Sequence, residues 1–437
     1  MAQFFRAKAS SAKGKTIELA VESMDHQGRG VAKHQGKVCF VDGALTGERV
    51  KAQIQQDKSK LTIAKVVKLQ QSSEHRVSPF CAHYNECGGC QLQHLAHTEQ
   101  LDVKQQALSK LFAKFAKTEQ LPWQPSIESE PMHYRRAARI ACFYDRQSQR
   151  LKVGFRSAKS KHIVDIKSCD VLSTPFAHCL EKLRVALNSD KAFASVSHIQ
   201  LCDADNRQYL LLRHTKHINE QNKEKLAALL DEQSWLLLWD DGEQNIDYER
   251  LPNYCVADLT FEFKLSNFIQ VNKAVNEKML LQAQAWLELE EDDQVLDLFC
   301  GIGNFSLLMA KRANSVIGVE GSESSVAMAK QNAHTNQISN VQFFCSDLTA
   351  PLAGAQWFSN ELNILLLDPS RTGAHEILAQ MPLKQFEKVL YVSCDPVTLA
   401  RDSALLLQAG FEVQKIGLMN MFPHTGHIET MALFQRR

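Results

Sequence analysis

The stretch Val295-Leu-Asp-Leu-Phe-Cys-Gly-Ile-Gly-Asn-Phe-Ser306 decides the fold, because an apolar strand runs directly into a glycine turn and then into a helical pattern. Outward from it, SVIGVE, VQFFCSD, ILLLDPS and KVLYVSC repeat the theme of a short apolar strand spaced by helical segments, and EVQKIGLMNMF and ETMALFQ follow. Alternation of this kind argues for an α/β fold with a doubly wound parallel sheet covered on both faces. Ligands of such sheets lie beyond the carboxyl ends of the strands. Gly301 and Gly303 let the backbone approach a ligand closely, and Glu320 ends the next strand, where a carboxylate is able to hold two ribose hydroxyls. Asp347 ends the third strand and is placed to accept from an adenine amino group. A dinucleotide site wants a third glycine where Phe305 or Ser306 stands, so NAD and FAD are disfavoured. A plain tight turn beside a solvated strand end would give the same letters.

Together these features resemble the S-adenosylmethionine site of class I (Rossmann-like) methyltransferases, whose usual signature is one acidic residue in the first strand and another in the second. Three later segments end on chemistry: LLLDPSRTG with Asp368 and Arg371, YVSCDPVTLARD with Cys394, and FPHTGHIETM with Glu429. Proline after a strand stops the ladder and leaves the preceding side chain at the sheet edge. Taken singly, a cysteine at a strand end is more often a small buried residue, and Glu429 a solvated carboxylate.

Taken in order, DLFCGIGNFS, DPSRTG, SCDPVTLARD and FPHTGHIETM are similar to the motifs of the RNA uracil-C5 methyltransferases, and the likeness covers nearly the whole chain. The resemblance implies that Cys394 is a covalent nucleophile and Glu429 a general base. It also implies that Gln270, Phe299, Asn304, Glu320, Asp347 and Asp368 line the S-adenosylmethionine site; on spacing alone Gln270 is an ordinary polar residue. The chemistry gives the set a reason. C5 of uracil is a poor nucleophile, whereas a thiolate added at C6 turns C5 into an enolate carbon able to take a methyl group. A base must then remove the C5 proton so that the thiolate leaves. Family members often carry Asn where this chain has Asp395, and Pro or another small residue where it has Ser370; neither departure touches the nucleophile.

The front of the chain is different. Residues 1–70 hold thirteen Lys and Arg against six Asp and Glu, although the whole chain has a net charge of only +1, and this local excess suits a polyanion. TIELAVESM, KVCFVDG, RVKAQIQ and TIAKVVKL read as strands of a small barrel, and within residues 16–69 Phe40 is the one aromatic, so phosphate contacts rather than base stacking are expected there. The segment resembles a TRAM domain, an OB-like β-barrel of RNA-modifying enzymes. Next, Cys81, Cys87 and Cys90 have spacing C-x5-C-x2-C around Gly88 and Gly89, with Cys169 as a distant fourth candidate. Spacing alone leaves zinc and a [4Fe-4S] cluster even; the family resemblance implies iron–sulfur, with a structural or RNA-recognition role.

The expected organisation is therefore residues 1–70 as the RNA-binding barrel, 71–265 as a small α+β iron–sulfur central domain, and 266–437 as the methyltransferase domain. The barrel and the cysteine loop together are similar to the branch of the family that acts on 23S ribosomal RNA. A transfer-RNA uracil methyltransferase is the nearest alternative, with another ribosomal-RNA uracil-C5 methyltransferase beside it and a nucleotide-dependent oxidoreductase more distant. With 44% hydrophobic and 23% charged residues the chain is ordinary for a folded protein rather than a disordered one. The sequence MAQFFRAKASSAKGKT has no signal-peptide core, and no run of about 18 apolar residues suggests a membrane span, so a cytoplasmic monomer is expected.

Overall fold

The computed structural model describes residues 13–158, 160–230, 235–242 and 246–436; residues 1–12 of the expected barrel module lie outside it. The chain divides into two compact units, one made of Met1–Tyr84, Cys90–Lys110 and His424–His427, the other of Asn85–Gly89, Leu111–Pro423 and Ile428–Arg437.

In the first unit, six strands form one sheet: β1 (Thr16–Ala20), β2 (Ser23–Met24), β3 (Gly30–His34), β4 (Lys37–Asp42), β5 (Arg49–Asp57) and β6 (Leu61–Gln71), in the order β1-β5-β6-β4-β3-β2. Period-two alternation turns Leu19, Ala32, Cys39, Val41, Val50, Ala52 and Ala64 into a common core. The expected strand TIELAVESM breaks after Ala20, and GVAKH is an additional strand whose polar letters hid it. Between β2 and β3 the turn is tied by Asp25, which accepts from the amide of Arg29 at 2.9 Å and pairs with its guanidinium at 2.6 Å. Arg29 lies 4.3 Å from the ring centre of Phe40, so the lone barrel aromatic is covered by a cation. The buried Glu48 pairs with Arg76 at 2.6 Å and accepts from the amide of Leu45, locking the strand ends to the segment that follows.

The second unit holds two larger sheets. The central one comprises β7 (Ala137–Asp145), β8 (Arg150–Arg156), β9 (Ile163–Asp165), β10 (Val196–Asp203), β11 (Gln208–His214) and β12 (Leu236–Asp240), ordered β12-β11-β10-β7-β8-β9. One face buries Ile140, Val153, Ile199, Leu201, Leu210 and Leu212 against the helices Cys179–Leu187 and Glu220–Leu230. A hairpin, β13 (Asn253–Val256) and β14 (Leu259–Glu262), follows.

The last sheet contains β15 (Gln294–Leu298), β16 (Ser315–Glu320), β17 (Val341–Cys345), β18 (Ile364–Leu367), β19 (Lys388–Ser393), β20 (Phe411–Met419) and β21 (Glu429–Arg436). Its order, β17-β16-β15-β18-β19-β21-β20, reverses direction between β15 and β18, and the first five strands are parallel. All four residues of β18 are fully buried, as a central strand covered on both faces requires. β21 lies antiparallel between β19 and β20. Among the described residues no helix is long and apolar enough to cross a membrane.

Candidate active site

The switch between β15 and β18 places several expected residues at one set of strand ends. Phe299 follows β15 with a left-handed φ of 65° and donates its amide to Val319 at 2.9 Å, which turns the chain sharply into the Gly301 loop. Gly301 has φ +56° and nothing within 4 Å of where a Cβ would stand, so the loop presents bare backbone to open space. Gly303 is glycine for another reason: a Cβ there would sit 3.2 Å from the ring of Phe343. Glu320 ends β16 and accepts from the amides of Gly301 at 3.2 Å and Ser322 at 3.0 Å, which aims its carboxylate along the loop.

Carboxylates gather here without a neutralising cation in the loop. Asp297 is fully buried in β15, accepts from the Ser306 hydroxyl at 2.5 Å, and its Oδ1 has no hydrogen-bond partner among the described residues. Burial first, then Asp368 and Glu320, push its carboxyl up to about 8. Asp368 follows β18, its amide donating to Leu298, and desolvation pushes it up to about 7. Glu320 supplies acceptors for vicinal hydroxyls, and ionisation of Asp297 or Asp368 beside it favours a bound cation over an anion. The residues present thus fit a nucleoside sulfonium cofactor.

Asn304 is held from both sides, donating to Asn276 Oδ1 at 3.0 Å and accepting from the Tyr254 hydroxyl at 2.7 Å. Arg136, only 3% exposed, lies 4.4 Å over the Tyr254 ring and donates from Nε to the Gln270 carbonyl at 2.9 Å. Its two terminal nitrogens have no hydrogen-bond partner among the described residues. Arg136 and Tyr254 therefore tie Gln270 and Asn304 together, and neither was singled out from sequence, because their role is to hold other side chains. Asp347 stands apart: it is exposed two residues beyond β17 and accepts from the amide and hydroxyl of Thr349.

Cys394 and Glu429, the expected nucleophile and base, come together through strand register. Ser393 at the end of β19 pairs with Thr430 in β21, so Cys394 comes opposite Glu429, the first residue of β21. Ser393 donates to the Asp395 carbonyl at 2.9 Å and accepts from its amide at 3.2 Å, fixing the turn that carries Cys394. Asp395 caps the helix Pro396–Gln408, accepting from Val397 at 2.9 Å and Thr398 at 3.0 Å. Asn performs the same capping, which accounts for the exchange at this position. The Cys394 thiol is pushed up to about 12 by burial, then by Glu429 and Asp368, while Arg371 acts in the opposite sense. Cys300, in the glycine loop, is 5% exposed, with its thiol held well above the usual range by burial, whereas Cys394 is only partly buried and so is the more accessible of the two.

The cysteine loop is less organised. Cys81 and Cys90 belong to one unit, Cys87 and Cys169 to the other. The Gly89 amide donates to Cys87 Sγ at 3.4 Å. Among the described residues, however, no group of three or more His, Cys, Asp or Glu is arranged to hold a metal ion.

The tRNA (uracil-5-)-methyltransferase family matches residues 96–437, and the TRAM domain family residues 10–67. The chain is 55% identical to the 23S rRNA (uracil(1939)-C(5))-methyltransferase RlmD of Pseudoalteromonas translucida and 43% identical to that of Shewanella sediminis, in both cases over 100% of each chain. In fold it is similar to the crystal structure of Pyrococcus abyssi tRNA (uracil-54, C5)-methyltransferase in complex with S-adenosyl-L-homocysteine. That likeness has a TM-score of 0.72, 20% identity and coverage of 96% of this chain and 100% of the other.

Proposed function

The chain belongs to the tRNA (uracil-5-)-methyltransferase family, and from that premise we propose that it methylates C5 of a uridine in 23S ribosomal RNA, the uridine named 1939 in its relatives. The observation that carries the reading is the pairing of β19 with β21, which sets Cys394 opposite Glu429 beside a carboxylate-lined crevice.

When bound, S-adenosylmethionine supplies an electrophilic sulfonium methyl group. Gln270, Phe299, Asn304, Glu320, Asp347 and Asp368 are proposed to hold it, with Glu320 on the ribose hydroxyls. Cys394 as thiolate forms a bond to C6, and the C5–C6 π pair moves toward C5, which becomes the attacking carbon. Once C5 carries the methyl group, Glu429 takes the C5 proton, the C5–C6 double bond re-forms, and the S–C6 electron pair returns to sulfur. Because the resting thiol is held near 12, it is almost wholly protonated until RNA and cofactor change the local charge. Reading a base edge at this depth requires a nucleotide lifted out of its stack or drawn from a loop.

The barrel is proposed to grip phosphates, and the protein to work as a cytoplasmic monomer. Cys81, Cys87, Cys90 and Cys169 are proposed as ligands of a [4Fe-4S] cluster on the strength of the family resemblance, since their spacing alone suits zinc equally; no catalytic step is assigned to it. Anaerobically purified protein should then be brown with about four irons per chain, and stoichiometric zinc without iron would refute the cluster. The function itself is tested by mapping 5-methyluridine in 23S ribosomal RNA from a strain lacking the gene. Loss of the modification at one uridine, restored by the purified protein, is expected; an unchanged ribosomal RNA together with an unmethylated transfer RNA would move the substrate.

A further inference from the structure

The outer face of the central sheet carries a groove outside the methyl-transfer chemistry. A cavity of about 720 Å³ is lined there by Arg139, Ala141, Arg156 and His198, with Gly88 and Gly89 as one wall. The strands dictate this arrangement. In β7, Ala138, Ile140 and Cys142 turn into the core, so Arg139, Ala141 and Phe143 face outward. His198 of β10 stands opposite Ala141 on one side and Arg213 of β11 on the other. Ala141 in turn faces Gly154 of β8, two residues from Arg156, and these small residues give the groove its depth. The wall is pinned by the Gly88 amide on the Arg156 carbonyl and the Ala158 amide on Glu86, both at 3.0 Å.

Three guanidinium groups therefore surround one imidazole. Burial first, then Arg139, Arg156 and Arg213, hold His198 below its usual range, so the histidine stays neutral while the arginines stay charged. Among the described residues only Arg213 of the three has a carboxylate partner, Asp240 at 2.8 Å. Like charges brought together without counter-charge mark a place for an anion. Phe143 is 57% exposed on the same face, next to Lys152 across the β7–β8 pair, which adds a stacking surface beside the cations.

We propose that this groove is a track for the sugar–phosphate backbone of the substrate RNA, single-stranded where a base stacks on Phe143, and separate from the nucleotide that enters the catalytic crevice. The proposal rests on the RNA-methyltransferase reading above. Arg139 and Arg156 hold phosphates, Phe143 holds a base face, and neutral His198 donates a hydrogen bond without adding charge.

The test uses the full chain with Arg139→Gln and Arg156→Gln combined, Phe143→Ala separately, and a fluorescent single-stranded RNA containing the target uridine. The double variant should bind more weakly, with a plot of log affinity against log salt shallower by about 1.4, or roughly 0.7 for each phosphate of a single strand that is no longer neutralised. Phe143→Ala should lose affinity roughly tenfold with the slope unchanged. Both should raise KM with kcat nearly constant, and S-adenosylhomocysteine affinity should stay at the wild-type value. Wild-type slope and affinity in the double variant overturn the proposal, as does loss of binding to polyglutamate but not to RNA, which would make the partner an acidic protein. Failure of the wild-type protein to methylate any RNA would instead overturn the underlying reading.

Discussion

Glu429→Gln should convert the enzyme into a trap for its own substrate. Glutamine preserves the size of a side chain that is 8% exposed at the start of β21, so the strand pairing with Met419 on one side and Ser393–Thr430 on the other should survive. What it loses is the proposed base. General-base catalysis is worth about 10²–10⁴-fold, or ~3–5 kcal/mol of barrier, so turnover should fall by that factor at the elimination step. Adduct formation should move the other way. The Cys394 thiol sits at about 12 in part because Glu429 is negative. At pH 8 such a thiol is ionised in roughly one molecule in 10⁴. Removing the charge lowers the thiol pKa, so at any pH below it more thiolate is present, and the rising limb of the adduct rate should shift to lower pH. Denaturing gels with labelled RNA and S-adenosylmethionine should show a protein-linked, methylated RNA band in Glu429→Gln and none in Cys394→Ala. Wild-type protein with 5-fluorouridine at the target should give the same band, since fluorine does not leave as a proton does. A band that persists in Cys394→Ala, or wild-type turnover in Glu429→Gln, would refute the assignment of both roles.

Three further outcomes follow from other parts of the fold. Asp297 is held at about 8 when folded and ionises near 3.9 when unfolded, so stability should decline as pH rises from about 4 to 8 and level off above; Asp297→Asn should remove that slope, worth on the order of a few kcal/mol, in denaturant titrations run across pH. Parallel curves for the two proteins would sink the idea. Arg136→Gln should weaken S-adenosylhomocysteine binding about tenfold by calorimetry, because the charged donor on the Gln270 carbonyl and the support under Tyr254 both go; unchanged affinity would make Arg136 a purely structural residue. Lys60, Lys65 and Lys68, exposed in or beside β6, changed together to Gln should flatten the salt dependence of RNA binding by about 2 while leaving cofactor affinity alone.

What could be read in advance follows from how local each signal is. The glycine loop and Glu320 announce themselves because strand, turn and carboxylate succeed one another within one βαβ unit. The apolar run at Ile364–Leu367 likewise declares a central strand. Cys394 and Glu429 became candidates only through the motifs around them, and their facing positions depend on β21 slotting between β19 and β20, a choice of partner and register that no local pattern encodes. Arg136 sits in YRRAAR, where nothing in the letters separates it from Arg135 or Arg139, yet its guanidinium is buried against the Tyr254 ring. β3 escaped because only Val31 and Ala32 break its polar run, and its pairing with β4 supplies the order that propensity lacks.

The β19–β21 pairing also bears on which changes this lineage can survive. Side chains alternate faces along a strand, and β21 is buried on both from Glu429 to Phe434, so a single added residue in Thr430–Phe434 that slipped the register would exchange its two packed faces and disrupt the core on each side of the sheet. The connection just ahead of β21 is no freer: His424 and Thr425 are buried, the His424 amide donates to Gln100 and its carbonyl accepts from the amides of Gln91 and Leu92, and a Cβ at Gly426 would meet the Gln27 carbonyl at 2.6 Å. The strand pair that carries Cys394 and Glu429 and the turn leading into it are therefore both confined to substitution in place.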